Sequence, residues 1–71
     1  MRRAILEALR ARYEAEIAEA DATANIYLEN SVGIGEHPQH IEEVDKQINK
    51  IANAKEKLQV LDEFEPERAV L

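Results

Sequence analysis

The chain has 71 residues, no cysteine, and 15 acidic against 9 basic residues, for a formal net charge of −6. That length allows one small domain, and the missing cysteine excludes a disulfide framework, a thiolate zinc site and a cysteine nucleophile. The acidic balance makes nucleic acid an unlikely main partner, because phosphate recognition needs a basic face.

The first predicted element is a helix over about 3–30. Its larger apolar residues are Leu6, Leu9, Tyr13, Ile17, Tyr27 and Leu28, with Ala20 and Ala24 between them. They advance by three or four, as one helix face requires. A second series, Ala4, Ala8, Ala11, Ala15, Ala18 and Ala22, runs almost opposite the first. Alanine is the best helix former and can simply populate a solvent face; its unbroken register also makes this stripe a possible second interface.

The chain's two glycines and the first of its prolines fall in Val32-Gly33-Ile34-Gly35-Glu36-His37-Pro38. A turn is predicted over 31–37, with Gly33 just past the first helix and Gly35 a second permissive position. Pro38 suits the first position of a new helix and keeps His37 out of helical angles.

The second predicted helix covers about 38–64. Its seam reads Ile41, Val44, Ile48, Ile51, Lys55, Leu58, alternating steps of three and four in a coiled-coil pattern. Lys55 is the one charge in that seam and reads as a register-setting device beside Tyr13. Val60, Leu61 and Phe64 broaden the apolar face near the end, and Pro66 stops the helix, leaving 66–71 as a C-terminal tail. A turn centred near residue 34 sets Tyr27 against Ile41, Ala24 against Val44, Ala20 against Ile48 and Ile17 against Ile51. The predicted fold class is therefore all-α: an antiparallel two-helix hairpin over 1–65, coiled-coil-like. A chain this small without staples commonly self-associates, so a homo-oligomer is expected, a dimer first, forming a four-helix bundle.

Chemistry-bearing groups are sparse. His37 and His40 form H-x-x-H, with Glu36 and Glu43 nearby, the weak candidates for a metal. No distant ligand completes them, and the ordinary reading is a capping residue and a surface histidine. Gly33-x-Gly35 before a helix lacks the third glycine, the preceding strand and the lysine of a phosphate cradle. No nucleophile is placed with a base and an orienting group, so no enzyme, cofactor or metal is expected. Arg2, Arg3, Arg10 and Arg12 make one basic end, the basis of an alternative nucleic-acid-associated role; the plainer reading balances them with the acidic stretch from Asp62 to Glu67. No apolar run approaches the ~20 residues of a membrane span, and Arg2-Arg3 lacks an export signal's apolar stretch. A cytoplasmic protein without a membrane partner is expected.

The segment Val32–Pro38, followed by Ile41-Glu42-Glu43 and later Lys57-Leu58-x-Val60-Leu61, resembles small uncharacterised helical proteins of large tailed bacteriophages, notably those of marine bacteria. The likeness covers about 1–64, and its specific part is the turn. It implies a viral, phage-encoded origin in a host cytoplasm and no particular activity. The expected role is binding of another protein, a host factor or a virion-assembly component.

Overall fold

In the computed structural model, residues 1–34 and 39–65 are described, with side chains described for 1–29 and 39–65. Two helices, α1 (Arg2–Ile34) and α2 (Gln39–Asp62), pack along their lengths as an antiparallel hairpin, with no strand among the described residues. Tyr27 and His40 meet near one end, their ring centroids 6.1 Å apart. At the other, open end an Arg2 Nη2 donates to the Phe64 carbonyl at 2.6 Å.

The helix bounds differ from the predicted ones by a turn. The first helix continues through Gly33 to Ile34 rather than ending near residue 30, so Gly33 does not lie past its last turn. Glycine permits the left-handed region without requiring it, and a helical glycine costs only about 1 kcal/mol relative to alanine. The second helix starts at Gln39; Gly35, His37 and Pro38, with the roles predicted for them, lie outside the described residues. At its C-terminal end, Glu63, Phe64 and Glu65 donate to the carbonyls of Val60, Leu61 and Asp62, a tightened last turn.

The seam on α1 is formed by the residues the periodicity picks out. Ala20 and Ala24 are buried, and Leu6, Leu9, Tyr13, Ile17, Tyr27 and also Arg10 are half-buried. Leu28, by contrast, is exposed.

On α2 half of the predicted seam is displaced by one residue. Val44, Ile51 and Leu58 are half-buried, whereas Ile41, Ile48 and Lys55 are exposed. The other row is His40, Gln47, Ala54 and Leu61, of which Gln47, Ala54 and Leu61 are buried. Both rows complete a heptad seam with Val44, Ile51 and Leu58, one lying three residues after each and the other three before. Stepping by heptads from the Tyr27–His40 contact sets Ala20 against Gln47, Tyr13 against Ala54 and Leu6 against Leu61. Leu6 and Leu61 do line one groove at the open end.

Ala20 and Ala54 are each 1% exposed, and no large side chain reaches that degree of burial. Alanines in the seam let the two backbones approach closely, so little apolar volume is enclosed. Gln47 is 7% exposed, and its side-chain amide makes no hydrogen bond within the hairpin but keeps some contact with solvent at the seam edge. Withdrawing an amide from most of its solvent without an internal hydrogen bond is unfavourable, and an aliphatic side chain there carries no such cost. Gln47→Leu, similar in size, is therefore expected to raise the melting temperature, read by far-UV circular dichroism. An unchanged or lower melting temperature would mean that the Gln47 amide is satisfied by solvent at the seam edge.

Candidate interaction surface

The polar groups cluster at the open end. Arg10 Nη2 lies 2.8 Å from an Asp62 carboxylate oxygen and 3.7 Å from Glu65; the Arg10 and Glu65 side chains are largely withdrawn from solvent, while that of Asp62 stays 40% exposed. The hydrogen bond from Arg10 to Asp62 holds the guanidinium pKa above its usual value against the opposing effect of burial. Arg3 pairs with Glu7 one turn on, at 3.3 Å, on the exposed surface. Arg2, through the Phe64 carbonyl, binds the last turn of α2, where cations complement the helix dipole. Arg2 and Arg10 thus clasp the acidic end of α2, Arg3 pairs within α1, and Arg12 makes neither an ion pair nor a side-chain hydrogen bond among the described residues. Because Arg10's pKa is raised, its contribution to stability is full below the usual arginine value and lost only as pH rises beyond it. Arg10→Ala is expected to lower the melting temperature and to speed hydrogen exchange in residues 58–65 more than in 41–48. Uniform acceleration along α2 would overturn the local-clasp assignment.

His40, expected at the surface, is half-buried in the seam against Tyr27, and its Nε2 is buried without a hydrogen-bond partner. The ring fills the last seam layer that the described residues form, so an aromatic contact replaces the surface role. Its proposed metal partner His37 lies outside the described residues; among those described, no group of His, Asp and Glu is placed to hold a metal. Lys55 does not meet Tyr13. Lys57 does, its Nζ lying 5.3 Å from the ring centroid, because Ala54 takes the seam position and turns Lys55 outward.

The hairpin also leaves several large apolar side chains outside. Ile41 is 77% exposed, Leu28 64%, Ile26 57%, Ile48 56% and Phe64 54%. Two grooves collect all of these but Ile26. One, of about 380 Å³, lies toward the Tyr27–His40 end and is lined by Leu28, Ile41, Val44 and Ile48, with Asp45 at its edge. The other, of about 310 Å³, lies at the open end between Leu6, Leu9, Tyr13, Val60 and Phe64. The heptad rows place them on opposite sides of the two-helix ribbon: Ile41 and Ile48 belong to one flanking row of α2, Lys57 and Phe64 to the other. The stripe Ala4, Ala8, Ala11, Ala15, Ala18 and Ala22 is exposed throughout, away from the seam.

No helix among the described residues is long and apolar enough to cross a membrane. Comparison with protein-family models, curated proteins and solved structures finds no match.

Proposed function

We propose that the chain is a small non-enzymatic helical hairpin that self-associates, as a dimer forming a four-helix bundle, and that it acts by binding another protein. The observation that carries this reading is an inversion of the usual burial order. The intramolecular seam buries alanine, one leucine and a glutamine, while Ile41 and Ile48, at coiled-coil spacing, stand in solvent. Contiguous exposed apolar patches mark interaction sites. The likeness of the turn segment to phage proteins supports a viral setting inside a host cell, with a host factor or a virion component as the protein bound. Arg2, Arg3 and Arg10 are engaged within the hairpin, which weighs against the alternative of a nucleic-acid accessory role.

Sedimentation equilibrium at micromolar concentration tests self-association. The expected result is a mass of twice 8.1 kDa, with a melting temperature that rises with protein concentration. A species of the single-chain mass that is still helical and melts cooperatively would overturn it.

A further inference from the structure

We propose that the second copy docks on the face bearing Leu28, Ile41 and Ile48, with the two hairpins related by a two-fold axis parallel to their length, so that both connections lie at the same end. This inference rests on the self-association reading above and adds to it a face, a pairing and an orientation.

The row Ile41–Ile48–Lys55 has the spacing and the β-branched residues of a coiled-coil seam, yet the hairpin does not use it. Across the seam, on the same side, runs the α1 row Glu7, Glu14, Asp21, Leu28; Leu28, Ile41 and Ile48 share one groove, which fixes these two rows as neighbours. The face is therefore divided along its length. Leu28, Ile41 and Ile48 make the half toward the connection mainly apolar, with Asp21 level with Ile48, while Glu7, Glu14, Lys55 and Asp62 make the open half charged. The opposite face is a weaker candidate: Lys57 lies over Tyr13 there, and its middle is a cleft between Glu16, Glu19, Lys50 and Lys57.

That division selects the orientation. A two-fold perpendicular to the hairpin would lay the isoleucines of one copy on the charged half of the other and set the all-acidic part of one α1 row against the same part of its partner. A two-fold parallel to the hairpin places α2 of one copy against α1 of the next. Ile41 then meets a second Leu28, and Ile48 a second Asp21. Lys55, which has no ion pair among the described residues, meets a second Glu14. Asp62, already paired with Arg10, comes level with a second Glu7. Three aliphatic side chains from each copy are withdrawn from water, which supplies the apolar driving force for docking.

The test uses the full chain and three readouts. Ile41→Glu with Ile48→Glu should weaken the dimer by at least about 100-fold in sedimentation, while Val60→Glu with Phe64→Glu leaves it intact; circular dichroism confirms that each variant is helical. Lys55→Glu and Glu14→Lys should each weaken self-association, and mixing the two should restore dimers as heterodimers, because both cross-copy pairs between positions 55 and 14 are then of opposite charge. A spin label on Gln39→Cys, unique in a cysteine-free chain, should lie far closer to its symmetry mate than the 48 Å length of the molecule. A wild-type monomer overturns the self-association reading itself. A wild-type dimer indifferent to Ile41 and Ile48 overturns the face alone. No heterodimer on mixing, or labels separated by most of the molecule's length, overturns the parallel axis.

Discussion

Leu61→Ala is expected to cost about 2–4 kcal/mol, the range for truncating a buried leucine. Leu61 is 4% exposed and is the one large aliphatic side chain that the hairpin buries among the described residues. It sits where Leu6 and the Arg10–Asp62 pair converge, so the cavity opens beneath the clasp rather than at a frayed end. A domain of this size has only a few kcal/mol to lose. Chemical denaturation followed by circular dichroism should show a sharply lower midpoint, or no folded baseline at 25 °C. A loss under about 1 kcal/mol would mean that the open end relaxes to fill the gap and that the stability resides elsewhere.

Ala54→Leu is expected to be the most damaging small-to-large change, by about 1–3 kcal/mol. Ala54 is 1% exposed in a seam where it faces the Tyr13 layer, and a leucine there must push the helices apart. The neighbouring Lys55→Leu supplies the contrast. Lys55 points to solvent, so this change should leave the monomer's unfolding free energy within about 0.5 kcal/mol. The pair of variants separates the two possible seams of α2, since a seam through Lys55 would reverse the order of the effects. Equal effects at both positions would show that the helices rotate freely enough to use either row.

The hairpin, its direction and the α1 face could be read from the sequence because each rests on residues with no competing arrangement. Val44, Ile51 and Leu58 form one row that any seam must include, and Ala24 and Ile17 lie opposite the first two of them. The second row on α2 was ambiguous for a physical reason: apolarity favours Ile41 and Ile48 over His40 and Gln47 at equivalent heptad offsets. Tertiary packing decides otherwise. The row through Ile48 continues into Lys55 and Asp62, whereas the row through Gln47 continues into Ala54 and Leu61. At the open end only the latter can be buried against Leu6. That cue stands in the sequence, at the far end of the helix rather than beside the turn. The pairing of the arginine cluster with the acidic end of α2 was also legible from charge alone, though not the choice of Arg10 as its buried member. Gly33 misled because a residue that permits a turn does not compel one.

Since Arg2 touches the Phe64 carbonyl, the beginning and end of the described chain emerge side by side at one pole. A pull applied through those two points loads the seam layer by layer, as a zipper is opened, and never shears all layers at once. Each step exposes one seam layer in which a small side chain, Ala54 or Ala20, faces a larger one, and the first layer is reinforced by the Arg10–Asp62 pair. The molecule is thus mechanically soft along the line joining its ends, with a single initial catch.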